Sequence, residues 1–219
     1  SPVTMLTSGP GLLVVHPSVP ARTLREFIAL ARSRPGQLNY ASAGFGTDSD
    51  IWIFDLSQNT ERRLTFEPSV DTVPSWSPDG KSIVYQCDTS LCARSADGGG
   101  SRVELLSQAA DGVVSQDGRR LLFRRPDGAD QGLYYVELGT AGLTAPITVK
   151  PQFVLAPRAM KNLDLSPDGR FVAYASRDNG VDAVFVTRFP VADGKWEIPV
   201  RLASEPRWSA SGDRLFVTD

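Results

Sequence analysis

The chain has 219 residues, of which 41% are hydrophobic and 22% are charged, as in an ordinary globular domain. Its net charge of −2 at pH 7 provides no basic field to attract nucleic acid or an anionic membrane. The longest apolar run, residues 12–15 (LLVV), is too short to cross a bilayer, so we expect neither a nucleic-acid partner nor membrane insertion. Because the chain has no initiator Met and opens on no secretory signal, we expect a fragment, a processed product or a fusion.

The first part of the chain, residues 1–47, has the pattern of a short α/β unit. Residues 12–15 are predicted to form a buried strand, and Thr23 with Glu26 forms a capping box at a helix start. Apolar residues then recur at helical spacing: Leu24, Phe27, Ile28 and Ala31. Pro35-Gly36 ends the helix, and residues 38–41 are predicted to form a second strand, parallel to the first. A glycine-rich loop follows over residues 42–47.

Residues 3–47, including the run PGQLNYASAGFGT, resemble the Bug family of periplasmic solute-binding proteins, the receptors of tripartite tricarboxylate transporters. The resemblance implies a two-lobed, non-catalytic receptor for a small carboxylate in the periplasm or another extracytoplasmic compartment. The matching loop positions, which would hold the carboxylate, are Ser42, Gly44, Gly46 and Thr47. Successive backbone N–H groups in such a loop can form an anion-binding nest. The alternative is a leftover unit that binds nothing, because the family pattern stops after Thr47 and a carboxylate cleft needs two walls.

From Asp50 onwards the sequence has the pattern of repeated β-sheet. Four similar turns occur at residues 77–81, 115–119, 166–170 and 209–213, and their glycines are 38, 51 and 43 residues apart. One tight turn every 40–45 residues or so is the spacing of a β-propeller blade. Aspartate and glycine shape such turns, so we assign a conformational role, rather than acid–base chemistry, to Asp79, Gly80, Asp117, Gly118, Asp168, Gly169 and Gly212.

Strands are predicted around these turns, and no segment beyond residue 50 has a strong helical period. The predicted strands are residues 51–56, 63–66, 81–86, 91–94, 120–123, 133–138, 171–175, 183–188 and 214–217. The predicted fold is therefore mostly β: a partial propeller of about four units over residues 48–219, preceded by the short α/β segment over residues 1–47. We expect an incomplete ring with exposed strand edges.

Two cysteines, Cys87 and Cys92, flank a predicted loop over residues 88–91. They could form a disulfide across a hairpin, or remain two unpaired thiols at a blade edge. A metal site would need two further ligands, and the single histidine, His16, is distant in sequence, so we expect no metal.

The second part of the chain resembles the TolB-type, WD-repeat-like propellers, in particular those appended to bacterial receptor-like Ser/Thr kinases. The resemblance rests on PSWSPDGKSIVYQ, LDLSPDGRFVAYAS and RWSASGDRLFV, within residues 50–218. It implies an interaction or sensing surface, with any chemistry in another domain. No kinase motif and no Gly-x-Ser-x-Gly elbow occurs in the sequence. We therefore expect a non-enzymatic module that binds a protein and needs no cofactor. The alternatives are the carboxylate receptor and the regulatory propeller of a peptidase or kinase whose catalytic domain is absent.

Overall fold

The computed structural model describes residues 39–43, 49–55, 60–126, 128–157, 159–177, 180–200 and 204–218. These residues form strands and no helix. The strand and the helix predicted within residues 12–34 lie outside the described residues. The strands are β1 (Asn39–Ala43), β2 (Ile51–Asp55), β3 (Thr60–Arg63), β4 (Asp71–Trp76), β5 (Ser82–Cys87), β6 (Ser90–Ser95), β7 (Val103–Ser107), β8 (Ala110–Val114), β9 (Arg120–Arg125), β10 (Gly132–Glu137), β11 (Gln152–Leu155), β12 (Lys161–Leu165), β13 (Phe171–Ser176), β14 (Ala183–Arg188), β15 (Lys195–Glu197), β16 (Ser204–Trp208) and β17 (Leu215–Thr218).

The strands form five antiparallel sheets in chain order, which we number 1 to 5. Sheet 1 contains β1–β3, sheet 2 β4–β7, sheet 3 β8–β11, sheet 4 β12–β15, and sheet 5 the pair β16–β17. In sheets 2 to 5 the first strand packs against the first strand of the next sheet: β4 against β8, β8 against β12, and β12 against β16. This serial stacking of small meandering sheets is the architecture of a propeller, so the predicted mostly-β partial propeller is confirmed.

Apolar side chains fill the spaces between consecutive sheets. One cluster, around Ile51 and Ile83, lies between sheets 1 and 2. A second joins sheets 2 and 3 through residues such as Val84 and Phe123, and a third joins sheets 3 and 4 around Tyr174. Each sheet therefore buries both faces against its neighbours, because no single four-stranded sheet can hide its apolar side chains alone.

The repeated turn is built around its first serine. The Ser77 hydroxyl donates a hydrogen bond to Asp79 at 2.6 Å and accepts one from the backbone N–H of Ser82 at 2.9 Å. The Gly80 N–H donates to the Ser77 carbonyl at 2.9 Å, and Gly80 has a φ of 69°, which favours glycine. The same pattern recurs at residues 115–120 and 166–171. In the fourth turn, the carboxylate that Ser209 bonds at 2.9 Å is Asp213.

Strand β1 lies within residues 1–47, yet it belongs to the first sheet of the propeller. It pairs antiparallel with β2 from Asn39↔Asp55 to Ala43↔Ile51. It also packs against β4, as β5 and β13, the second strands of sheets 2 and 4, pack against β8 and β16. The receptor-like part of the sequence therefore supplies a strand of sheet 1, and the boundary between residues 47 and 48 stays a prediction.

One strand is displaced from its predicted position. Residues 63–66 were expected to form a strand, whereas β3 covers Thr60–Arg63 and lies exposed at the edge of sheet 1. Leu64 and Thr65 instead turn into the core, where the Leu64 N–H donates to the Ile51 carbonyl at 2.7 Å. The Thr65 hydroxyl accepts a hydrogen bond from the Ile51 N–H at 3.0 Å. Burial of the apolar Leu64 thus decides where the chain leaves the ladder.

Candidate functional site: the cavity between the inner strands

The first strands of sheets 2 to 5, which we call the inner strands, surround a cavity of about 180 Å³. Its wall includes Ser75 on β4, Asp111 on β8, Asn162 and Asp164 on β12, and Arg207 on β16. Because the inner strands occupy equivalent positions in the repeat, each sheet presents the same part of its backbone to this cavity. It is the place where the described sheets bring polar side chains together.

Each inner strand carries a bulge four residues before its turn serine. The residues at this position are Val73, Asp111, Asn162 and Glu205, and their φ angles are 51°, 52°, 52° and 46°. In all four strands the pairing with the second strand shifts register at this point. A left-handed backbone is tolerated by Asp and Asn but is a clear outlier for a β-branched residue such as Val73. The bulge is therefore a repeated feature of the inner strand rather than an accident of one sequence.

Asp111 links sheet 3 to sheet 4. Its residue is only 5% exposed, and its carboxylate forms an ion pair with the Arg124 guanidinium on β9. The same carboxylate accepts a hydrogen bond from the backbone N–H of Asn162 at 3.3 Å. A buried carboxylate requires such partners, since an unpaired charge in the interior is very costly. The charge of Asp111 is therefore used to join the two inner strands.

Asp164 makes the corresponding link from sheet 4 to sheet 5. Its carboxylate accepts a hydrogen bond from the backbone N–H of Trp208 at 2.8 Å. Burial raises the pKa of this carboxyl to about 6, against the opposing effect of the Arg207 guanidinium and of the hydrogen bonds it accepts. The cavity wall thus contains a carboxyl that changes charge near pH 6, close to a permanent cation. This pair is suited to recognising a polar group of a ligand.

A second polar cluster lies between sheets 1 and 2. The Arg94 guanidinium bonds both carboxylate oxygens of Glu67, at 2.9 and 3.1 Å, and Ser69 donates to Asp71 at 2.8 Å. Asp71 and Tyr85 are fully buried, and Asp71 Oδ2 and Tyr85 Oη have no hydrogen-bond partner. Burial raises the pKa of both groups, and the negative charges of Asp71 and Glu67 raise that of Tyr85 further.

The structure places the turn residues predicted from the sequence at separate turns and does not bring them together. Asp79, Asp117 and Asp168 each accept a hydrogen bond from the preceding turn serine at 2.6 Å. That bond is the main reason why the pKa of each of these carboxyls lies below its ordinary value. Gly80, Gly118, Gly169 and Gly212 have φ angles of 69°, 71°, 69° and 74°. These contacts support a role in shaping the turns.

The remaining predicted positions lie elsewhere. Ser42 belongs to β1, where it is paired with Trp52, whereas Gly44, Gly46 and Thr47 lie outside the described residues. Cys87 and Cys92 form a disulfide with their Cα atoms 5.9 Å apart, across the β5–β6 hairpin. Only residues 88 and 89 form the turn, because Ser90 and Leu91 already belong to β6. Among the residues that the structure describes, no three potential ligand side chains cluster to hold a metal ion.

The cavity residues were not predicted from the sequence. Asp164 and Arg207 both stand two residues before a turn serine, and Asp111 and Asn162 stand four residues before one. An alignment of the four repeats on that serine would have placed them at equivalent positions. The missing signal was the strand itself, since the bulge interrupts the alternation of polar and apolar residues that identifies a strand.

Comparison of sequences supports the resemblance of the N-terminal part. Residues 1–68 match the model of the tripartite tricarboxylate transporter family receptor. The chain is also 36% identical over 50 residues to a UPF0065 protein of Bordetella pertussis, covering 23% of this chain and 16% of that protein. The chain thus spans only a small part of this relative. The receptor-like match continues past residue 47 and through β2 and β3.

Comparison of structures supports the resemblance of the rest. TolB from Acinetobacter baumannii is similar, with a TM-score of 0.66 and 16% identity over 82% of this chain and 46% of TolB. The β-propeller domain of Myceliophteria thermophila Cps50 (Swd1) gives a TM-score of 0.59 and 15% identity over 81% of this chain and 57% of that domain. The described strands have the fold of a β-propeller. Both predicted resemblances, TolB-like and receptor-like, are therefore confirmed, although this chain spans less than half of TolB.

A search of the described residues for membrane-crossing segments found no helix with the required length and apolarity.

Proposed function

We propose that this protein is a non-enzymatic interaction module that recognises a partner protein at the cavity between the inner strands. The observation that carries the proposal is the convergence of Asp164, Arg207 and Asn162 on one small cavity. The carboxyl and the guanidinium can bond polar groups of an inserted loop or side chain. The surrounding bulges and turns are held by internal hydrogen bonds, so the cavity is formed before a partner arrives.

The absence of catalysis is part of this proposal. The polar groups of the cavity are committed to holding the sheets: Asp111 to Arg124 and Asn162, and Asp164 to the Trp208 N–H. Among the described residues lining the cavity there is neither a histidine nor a cysteine. A serine acting as nucleophile would need an adjacent base, and Ser166, the turn serine of the wall, is bonded to Asp168 within its own turn.

The test uses the full chain as bait for affinity capture, followed by quantitative mass spectrometry. Two cavity variants, Arg207→Ser and Asn162→Gly, remove wall groups without touching the apolar clusters between sheets. The control variant is Arg188→Ser, whose exposed guanidinium lies on β14 outside the cavity. At least one captured protein should fall by about tenfold with both cavity variants and stay unchanged with the control. Equal recovery by all baits, or hydrolase or kinase activity in the pure chain, would contradict the proposal.

A second candidate function is binding of a small carboxylate through Ser42, Gly44, Gly46 and Thr47. It is favoured by the match of residues 1–68 to the receptor family. This function predicts that di- or tricarboxylates raise the melting temperature of the full chain, because a ligand that binds the folded state stabilises it. The increase should disappear in the variant Thr47→Val and persist in Arg188→Ser. If no carboxylate in the panel changes the melting temperature, this candidate is eliminated.

A further inference from the structure

Sheet 5 leaves uncovered a position that is fully buried in every complete sheet. Counted from the turn glycine, Phe216 on β17 corresponds to Val84, Leu122 and Ala173 on the second strands of sheets 2, 3 and 4. Those three residues are 0% exposed, whereas Phe216 is 48% exposed. An aromatic ring left half in water is a substantial amount of unburied apolar surface. The repeat itself shows what normally surrounds this position.

In the complete sheets, the second strand pairs with a third strand over six residues: β5 with β6, β9 with β10, and β13 with β14. The ladder is extended by a hydrogen bond to the residue after the turn glycine. Ala96 N–H donates to the Lys81 carbonyl at 2.7 Å, Leu138 to Arg119 at 2.6 Å, and Phe189 to Arg170 at 2.8 Å. The corresponding residue in sheet 5 is Asp213, and within the described residues no strand lies on that side of β17.

The orientation of the β17 backbone makes this edge available for pairing. The Arg214 carbonyl accepts a hydrogen bond from Ser209, on the β16 side, at 2.9 Å. Because peptide groups alternate in direction along a strand, the N–H and C=O groups of Leu215 and Val217 point to the open side. They are the donors and acceptors that a third strand would need.

The groove beside β17 has an apolar floor formed by sheet 4. Leu215 and Val217 already pack against Ala175 and Val184 of that sheet. Trp196 on β15, which pairs with Val186 on β14, is 45% exposed and lies farther out on the same face. Strands in a sheet are about 4.8 Å apart, so a strand added beside β17 would lie above β14 and β15 and approach Trp196.

The free edge of β17 also lacks the features that protect other strand edges of this chain. Edge strand β3 (TERR) is charged, edge strand β15 (KWE) carries two charges, and edge strand β11 is preceded by Lys150 and Pro151. Strand β17 (LFVT) contains no charged residue and no proline. Charge and proline are the usual means by which proteins prevent pairing at an edge, so β17 is the edge best suited to accept a strand.

We propose that the groove beside β17 binds an extended apolar strand of a partner protein, which pairs antiparallel with β17 and completes sheet 5. The third strands of this chain indicate the side chains that fit. On the side facing the preceding sheet they place Cys92, Tyr134 and Phe185, all apolar or aromatic. The partner strand should therefore carry an aromatic residue at its centre and apolar residues on both faces. This groove is separate from the cavity between the inner strands, so each proposal can fail without the other.

The test measures binding of fluorescent peptides to the full chain by anisotropy. The probe has the sequence of β14, residues 183–188 (AVFVTR), with a soluble linker. Two control peptides carry Phe185→Ser, which removes the aromatic anchor, or Val186→Pro, which removes one backbone donor. We expect saturable binding of the probe, weakened by about tenfold or more in both controls. Hydrogen exchange at the Leu215 and Val217 amides should slow when the probe is bound.

Two variants of the protein complete the test. Phe216→Lys places a charge at the edge, and Val217→Pro removes an outward N–H; both should abolish binding of the probe. The control Phe153→Ser changes an equally exposed phenylalanine on edge strand β11 and should leave binding unchanged. If Val217→Pro fails to fold, Phe216→Lys and the exchange measurement still decide. Absence of probe binding, binding that survives Phe216→Lys, or a dimer of this chain dissociated by Phe216→Lys would overturn the proposal.

Discussion

The carboxylate of Asp164 and the backbone amide of Trp208 are 2.8 Å apart, and the hydrogen bond between them crosses from sheet 4 to sheet 5. A polar side chain of one inner strand thus holds the main chain of the next, as Asp111 holds Asn162 one sheet earlier. The inter-sheet contacts of this propeller are therefore not only apolar. Near the axis, carboxylates fix the spacing of the inner strands, and the cavity keeps its shape because of them.

The first prediction concerns the pH dependence of stability. The pKa of Asp164 is about 6 in the folded protein and near 3.8 in the unfolded chain. The folded state therefore binds a proton more tightly, and stability from this group is fully present below pH 3.8 and lost as the pH rises through 6. The loss is at most about 3 kcal/mol, at 1.4 kcal/mol for each pKa unit.

The variant Asp164→Asn can still accept the Trp208 hydrogen bond but cannot titrate. Urea unfolding between pH 4 and 7 should show the wild type losing stability relative to this variant as the pH rises. The difference between the two proteins isolates Asp164 from the turn aspartates, whose lowered pKa values act in the opposite direction at lower pH. Parallel pH profiles for the two proteins would show that Asp164 is not a buried, titrating carboxyl.

The second prediction concerns Gly112, which allows inner strand β8 to approach sheet 2 closely. A Cβ atom at this position would lie 2.9 Å from Val84 Cγ1 and 3.0 Å from Leu91 Cδ1, and both of those residues are fully buried. Gly112→Ala should therefore lower the free energy of unfolding by about 1–3 kcal/mol through overpacking. Gly139→Ala, where a Cβ meets nothing within 4 Å, is the matched control and should be nearly neutral.

Because the clash has a named partner, a double variant can confirm its origin. Leu91→Ala removes the side chain that the new methyl group would meet. The cost of Gly112→Ala should be smaller in the Leu91→Ala background, and denaturant unfolding of the four proteins gives the coupling energy. Strictly additive costs would mean that Gly112 is needed for another reason.

The third prediction concerns the unpartnered hydroxyl of Tyr85. A buried polar group without a hydrogen bond costs folding free energy, so Tyr85→Phe should leave stability unchanged or raise it by about 1 kcal/mol. Tyr135→Phe is the matched control, because the Tyr135 hydroxyl donates to Gln152 at 2.6 Å. That variant should lose about 1 kcal/mol. Thermal or urea unfolding measures both, and a clear loss in Tyr85→Phe would show that its hydroxyl is bonded.

The fourth prediction concerns the disulfide. A bridge between Cys87 and Cys92 closes a short loop, and the chain-entropy model gives such a loop a stabilisation of about 2 kcal/mol. The double variant Cys87→Ala, Cys92→Ala should lose roughly this amount and should be insensitive to reductant. The wild type should lose stability only when a reductant is added. A wild type whose unfolding is the same with and without reductant would contradict a stabilising bridge.

The sequence predicted the strands on the far side of each turn well and the inner strands poorly. Second and third strands such as β5 and β14 are almost fully buried and rich in β-branched residues, so their composition identifies them. Inner strand β8 (ADGVV) contains Asp-Gly, which is typical of a turn, and inner strand β16 contains Pro206. The left-handed bulges that accept such residues are set by packing around the axis, and a local pattern cannot express that.

The candidate cavity was missed for the same physical reason. Its wall belongs to the inner strands, and Asp111, Asp164 and Arg207 come together only when three sheets stack. Charged residues spaced about 50 residues apart carry no local signal of proximity. By contrast, the turn aspartates were interpreted correctly in kind, because each of them acts within five residues of itself.

Strand β1 has a wider consequence for how such a chain can arise. A ladder selects its neighbour by the spacing of peptide groups and the alternation of side chains, and ancestry does not enter into that selection. A segment with receptor-like text can therefore dock beside β2 and be stabilised by it. Genetic joints that fall in a hairpin loop are tolerated on this basis, so modular β architectures can absorb foreign coding sequence at their margins without leaving an unpaired backbone.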